Sequence, residues 1–273
     1  MTEYSRDELR EFHAERFVEH PGTEKVFSEC DYILKTAGLK SRPDNLIILA
    51  ESGYGKSALL REVFKGASHH TYIGKNLLNR ECLLIEMSSM PSSRQLLLDI
   101  VRALGGVEHT KISLEYCEQM IVEKGLKLLI IDEFNNLFET TKPELRKSLN
   151  ILKTLGNKYN VSIILAGTGL IDKILDYDRQ FDRRYRKIRM KNWKLDDYFR
   201  NFVMNYMALL PVEFPKKISS AIFSELLEGT SGSTKEVIRV LCQASLEAHI
   251  AGEEDKLANY IGRVAKRTGN VSD

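Results

Sequence analysis

The order of apolar and polar positions divides the chain into two kinds of region. Between residues 46 and 168, short and almost continuously apolar runs alternate with longer stretches in which apolar residues recur every three or four positions. The runs are Leu46–Leu49, "CLLIEM" at 82–87, "LKLLIIDE" at 126–133 and "VSIILAGT" at 161–168. Runs of this length predict strands buried on both faces. The stretches between them predict helices: from Gly55 onward, "SSRQLLLDIVRALG", "SLEYCEQMIVEKG" with Gly125 as its stop, and "KPELRKSLNILKTLGNKY". Strands alternating with helices predict a parallel sheet covered on both faces. Ahead of this region, "RDELREFHAERFVEH" predicts one amphipathic helix ended by Pro21–Gly22, and "GTEKVFSECDYILKTAG" a second closed by Gly38. After about residue 194 the pattern is helical only: "LDDYFRNFVMNYMALL", "PKKISSAIFSELLEG", "STKEVIRVLCQASLEAHIAG" and "EDKLANYIGRVAKR". The expected organisation is an N-terminal helical segment (1–42), an α/β domain (43–193) and a small all-helical domain (194–273).

Composition narrows the classes. Of 273 residues, 43% are hydrophobic and 29% charged, which suits a globular chain. The net charge of +2 argues against passive coating of nucleic acid, so any such contact is expected to be local. Cys30, Cys82, Cys117 and Cys242 are far apart and form no C-x-x-C pair, so they read as reduced thiols. The opening "MTEYSRDELREF" carries no apolar signal core, and no apolar run approaches membrane-spanning length; a cytoplasmic protein is expected.

The candidate chemistry begins at "ILAESGYGKSALL", residues 48–60. It follows the phosphate-loop pattern G-x-x-x-x-G-K-[ST] except that Ala50 stands at the first glycine. A loop between strand and helix offers backbone N–H groups to phosphate oxygens. Here the loop is Glu51, Ser52, Gly53, Tyr54, Gly55, Lys56, Ser57 and Ala58. The glycines allow close approach. Lys56 supplies charge for the β- and γ-phosphates, and Ser57 a hydroxyl for Mg2+. Asp132 and Glu133 end the most apolar run, where ligands of such sheets bind. Asp132 can hold Mg2+ with Ser57, and Glu133 can polarise a water. Thr168 ends another run and can contact that water or the γ-phosphate. The absence of an N-K-x-D motif argues against GTP, since "NKYN" at 157–160 ends in Asn160.

In this order, the loop, the D-E strand, the polar strand end and the helical tail resemble the AAA+ ATPases. "ESGYGKS", "LLIIDEFNNL", "LAGTGLIDKIL", "DRQFDRRY" and "KNWKLDDY" are more closely similar to the TniB/TnsC group of transposition ATPases, relatives of the IstB/DnaC and Orc/Cdc6 branches. The resemblance spans roughly residues 20–265, and members of the group usually carry glycine where this chain has Ala50. It implies a five-stranded parallel sheet followed by a helical lid, ATP and Mg2+ as cofactors, and ATP hydrolysis. It implies an arginine finger at Arg184, with Arg183 the adjacent candidate, reaching a nucleotide held by a neighbouring subunit; the protein would then be a homo-oligomer, as a ring or helical filament. A basic residue early in the third lid helix would point at the nucleotide, with Lys235 the candidate and Arg239 the runner-up. It further implies contact with double-stranded DNA from loops and helix starts after the second strand. Arg94 and Lys111 are the candidates there, with Ser92, Ser93, Thr110 and Ser113 available to phosphates. The partners implied are a transposase and a TniQ-like target-selection protein. Two other readings stay open: a helicase loader or initiator-type ATPase, and a nucleotide-gated switch that does not need DNA.

Overall fold

The computed structural model describes residues 10–37, 39–40, 42–70, 81–107, 112–213 and 218–269. Contacts divide the chain into two units: residues 22–52 with 56–190, and residues up to 21 with 53–55 and 191–273.

The first unit is a five-stranded sheet in the order β2-β3-β4-β1-β5, built from β1 (Asn45–Leu49), β2 (Cys82–Glu86), β3 (Leu128–Asp132), β4 (Ser162–Gly167) and β5 (Tyr185–Arg189). Every pairing is parallel. The three central strands are buried at every position, which explains their continuous apolar character. The helices are α1 (Pro21–Thr36), α2 (Lys56–His70), α3 (Ser93–Ala103), α4 (Leu114–Lys124), α5 (Lys142–Tyr159), α6 (Leu170–Leu175) and α7 (Arg179–Asp182), with a 3₁₀ segment at Phe134–Glu139. Leu96, Ile100, Leu129, Ile131, Leu149 and Leu165 join one core between sheet and helices. Each such buried side chain contributes about 1.5–3 kcal/mol.

One local expectation is corrected. The helix through residues 10–12 does not continue to Pro21, because residues 14–20 are irregular. Pro21 starts α1 instead of ending a helix. A proline at the first helical position loses no hydrogen bond and brings its φ preset. The stop expected at Gly38 lies outside the described residues. The fifth strand that the resemblance implies is β5: "YRKIR" has no apolar run, so periodicity does not mark it. It is the outer strand beside β1, burying only Tyr185 and Ile188. Its other side chains are paired. Arg186 meets Glu29 at 2.8 Å, Lys187 meets Asp182 at 2.6 Å, and Arg189 meets Asp172 at 2.5 Å. Charged residues suit an edge strand, since they discourage further pairing.

The second unit holds α8 (Asp197–Met207), α9 (Ser220–Gly229), α10 (Thr234–Ala251), a 3₁₀ turn (Glu254–Lys256) and α11 (Leu257–Gly269). Its core includes Phe199, Phe202, Leu226, Val240, Leu241 and Ile261. His20 packs on Trp193 with ring centroids 4.5 Å apart, and burial pushes its pKa down to about 4. The Trp193 indole N–H donates to the Thr234 hydroxyl at 3.0 Å. Among the described residues no helix is long and apolar enough to cross a membrane.

Candidate functional site

The carboxyl ends of β1, β3 and β4 collect the candidate groups of the first unit. Lys56 opens α2 and is 5% exposed. Its ammonium donates to Glu133 Oε1 at 2.9 Å and lies 3.8 Å from Asp132 Oδ1. A buried cation persists only when paired, and here both acids of the D-E pair serve it. Asp132 is itself buried, and its Oδ1 accepts the Glu133 backbone N–H at 2.8 Å. The positive charge, both acids and the strand ends therefore meet at one point, as the spacing of the motifs predicts. Ser57 follows Lys56 in the first turn of α2, with Ala58 next to it. Glu51 and Ser52 are exposed at the start of the loop.

Glu133 has φ 51° and ψ 34°, a left-handed conformation that a glutamate rarely adopts. Such a backbone costs about 1–3 kcal/mol and persists where its surroundings dictate it. It turns the chain from β3 into the 3₁₀ segment and aims the carboxylate back at Lys56.

Thr168 lies immediately after β4. Its backbone N–H donates to Asn135 Oδ1 at 3.0 Å, and its hydroxyl accepts the Leu170 N–H at 3.4 Å. Asn135 has no motif of its own in the sequence. It is buried, and its amide also donates to Glu133 Oε2 at 3.3 Å and to Asn136 Oδ1 at 3.2 Å. Asn136 in turn donates to the Met87 carbonyl, just past β2, at 3.0 Å. Two asparagines following a D-E pair are the only local signal for this network, and their partners are distant in sequence.

Ala50 needs no glycine. Its N–H continues the sheet by donating to the Gly167 carbonyl at 3.0 Å, and it is not among the described residues with positive φ. Gly53 and Gly55 do need it, with φ of 84° and 81°. These two group with Tyr54 in the second unit. There the Lys235 N–H donates to the Gly53 carbonyl at 2.8 Å, and a Cβ on Gly53 would stand 2.7 Å from Ser233 Oγ. The Lys235 side chain is exposed. Arg239 is held elsewhere, by Glu236 at 2.7 Å and Thr268 at 3.2 Å.

Arg184 is not at this end of the sheet. It stands between α7 and β5, at the amino end of the strands, beside Arg183. Both are exposed and line a cavity of about 490 Å³ with Arg42, Asn45, Lys153 and Asn157. Arg184 donates to Asn157 Oδ1 at 2.6 Å.

Arg94 is exposed in the first turn of α3. The candidate serines are already engaged. Ser92 caps α3 by accepting the Gln95 N–H, and Ser113 caps α4 by accepting the Tyr116 N–H. The Ser93 N–H and hydroxyl both donate to Glu144, at 3.0 and 2.7 Å. The Lys147 ammonium, followed by these two bonds, holds the Glu144 carboxyl down at about 2. A carboxylate thus stands where the sequence offered Ser93 to a phosphate. Lys111 and Thr110 lie outside the described residues.

The family described as Bacterial TniB protein matches residues 8–195. No protein of curated function matches the sequence. Among solved structures, the chain is similar to the Orc2 protein of Aeropyrum pernix in its ADPNP–ADP complexes, at 16% identity over 93% of this chain and 71% of that one, with TM-score 0.65. The Orc1 protein of the same organism, solved in complex with DNA, aligns at 14% identity over 89% of this chain and 65% of that one, with TM-score 0.65. Domain III of the DnaA replication initiation protein of Thermotoga maritima aligns at 15% identity over 95% and 97%, with TM-score 0.60. The fold is that of the P-loop AAA+ ATPases.

Proposed function

This chain belongs to the TniB family, and from that premise we propose that it is an ATP-dependent, DNA-binding regulator of transposition. The observation that carries the ATPase half of the reading is the buried Lys56 held by Asp132 and Glu133 directly after a loop with two left-handed glycines. An ammonium already balanced by two carboxylates can exchange them for phosphate oxygens at little desolvation cost. The site fits ATP with Mg2+. Backbone N–H groups of Glu51 to Ser57 and the Lys56 ammonium would take the phosphates, and Ser57 and Asp132 would hold the ion. The ion would neutralise phosphate charge. Glu133 would then orient the attacking water and accept its proton, and Thr168 would contact the γ-phosphate. Residues 43–193 would form the nucleotide-binding domain, with 194–273 as lid. Lys235 would reach the nucleotide from there, a role supported by its backbone bond to Gly53.

Arg184 would act on a neighbouring subunit's nucleotide. Its position at the amino end of β5, away from its own Lys56, supports action in trans and so an oligomer. Double-stranded DNA contact through Arg94 and Lys111, and recruitment of a transposase with a TniQ-like protein, rest on the family.

The test is sedimentation with linear duplex DNA, without nucleotide, with ATP and with a non-hydrolysable analogue. DNA-bound assemblies that require nucleotide are expected. Nucleotide-dependent assembly indifferent to DNA would replace this reading with that of a signalling switch. Assemblies that capture a helicase instead of a transposase would replace it with that of a loader.

A further inference from the structure

The groups of the site are tied together by a residue that carries no charge. Asn135 donates from its amide nitrogen to Glu133 Oε2 at 3.3 Å and accepts the Thr168 N–H on its amide oxygen at 3.0 Å. One side chain thus spans the acid that follows β3 and the backbone that follows β4. The remaining Glu133 oxygen is taken by Lys56 at 2.9 Å. When Lys56 transfers to phosphate, Oε1 is released while Asn135 keeps its hold on Oε2. The carboxylate would otherwise rotate freely on a left-handed residue 33% exposed on its side chain.

The space for this bridge is reserved. Gly167, the last residue of β4, has ordinary φ and needs no glycine for its backbone, since it is not among the glycines with positive φ. Any Cβ there would collide with Asn135 Oδ1 and stand 2.9 Å from Ile171 Cδ1. Glycine at 167 is therefore explained by Asn135. The amide is also constrained from behind: it donates to Asn136 Oδ1, and Asn136 is fixed on the Met87 carbonyl.

We propose that Asn135 is a positioning residue for hydrolysis, setting the Glu133 carboxylate against the strand end that carries Thr168. The inference rests on the reading of the chain as an ATPase. It predicts that a change at β4 is felt at Glu133 through one amide.

Hydrolysis and nucleotide affinity would be measured separately, on the full chain, for wild type, Asn135→Ala, Asn135→Asp, Glu133→Gln and the double variant Asn135→Ala/Glu133→Gln. Misplacing a catalytic group by about 1 Å costs on the order of 100-fold. Asn135→Ala is therefore expected to lower kcat about 10- to 100-fold with affinity for the non-hydrolysable analogue within about threefold. Asn135→Asp keeps an acceptor for the Thr168 N–H but turns the donor toward Glu133 into a repelling oxygen. It is expected to lose as much as the alanine variant, whereas a purely structural role in holding β4 would spare it. Adding Asn135→Ala to Glu133→Gln is expected to lower kcat no further, because both act through one group. Gly167→Ala, which displaces the amide without removing it, should reproduce the loss. Full activity of Asn135→Ala, or an undiminished effect on top of Glu133→Gln, would overturn the inference and leave the ATPase reading standing. A wild-type chain that binds but does not hydrolyse ATP would remove that reading, and this one with it.

Discussion

The two ends of the sheet differ in how their charges are satisfied. At the carboxyl end Lys56, Asp132, Glu133, Asn135 and Thr168 are mutually bonded, and Lys56, Asp132 and Asn135 are buried. At the amino end Arg183 and Arg184 are exposed on the rim of a cavity also lined by Arg42 and by Lys153, which Asp178 holds at 2.7 Å, and Arg184 donates to the neutral amide of Asn157. The first arrangement is preorganised, and its geometry is dictated from within the chain. The second leaves positive charge without a carboxylate in that bond, which suits an anion that arrives from outside. On the proposed function, the first end would bind the nucleotide of its own chain and the second would complete the site of a neighbour. The difference follows from chain direction in a parallel sheet: every strand delivers its last residue to the same end, so motifs that terminate strands converge there. The residues before strands gather at the opposite end.

The sharpest way to break this comparison is Lys56→Met. Nucleotide affinity should fall by about 100-fold or more, as when a buried charge loses its partners. Isothermal titration with the non-hydrolysable analogue measures it, and retained affinity would dismiss the carboxyl end as the binding site. Glu133→Gln should keep affinity and DNA-bound assembly while lowering hydrolysis about 1000-fold. Arg184→Ala should also lower hydrolysis about 1000-fold, with affinity nearly unchanged. Mixing the two inactive variants tells the ends apart. If Arg184 serves a neighbour, mixed assemblies regain part of the activity, because some interfaces combine an intact glutamate with an intact arginine. No recovery at any ratio would return Arg184 to ordinary surface charge between α7 and β5, and a larger loss with Arg183→Ala would transfer the role to its neighbour.

Smaller effects are expected at the rim of the carboxyl end. Arg94→Gln should reduce the slope of log affinity for duplex DNA against log salt by about 1, if one phosphate contact is lost. Glu144→Gln should lower stability at neutral pH by about 1 kcal/mol, since it weakens the bonds at the start of α3 and the exposed part of the pair is screened by solvent. The sign follows from a folded pKa held at about 2 against an ordinary 4.5. The contribution of the carboxylate is complete above 4.5 and fades as pH falls toward 2. Denaturant titration at several pH values should show wild type and variant converging over that window, and a constant gap would assign the effect to packing.

Much of the site was legible because its parts are local. "GYGKS" and "LLIIDE" each carry their chemistry within a few residues, and a continuous apolar run predicts a buried strand wherever it sits. Four of the five strands follow from that rule. The fifth does not. "YRKIR" is a strand because it pairs with β1, and its charges find Glu29, Asp172 and Asp182 only in the folded chain. Asn135 was likewise invisible, since neither of its two decisive bonds has a signature in the sequence and one spans 33 positions. The helix expected to end at Pro21 failed for the reverse reason: a periodic pattern allowed a helix through residues 14–20, where packing such as that of His20 on Trp193 prevailed.

By itself, the sequence determined the alternation of strands and helices, the helical character after residue 194 and the positions of the G-K-S loop, the D-E pair and the polar strand end. These depend on periodicity and on residue chemistry, which act over one or two turns of chain. Only the tertiary structure decided the strand order, the left-handed backbone at Glu133, the bridge made by Asn135, the space kept by Gly167 and the engagement of Ser93 by Glu144. Each of those depends on a partner far away in sequence, and the free energy of a long-range contact is written in neither partner alone.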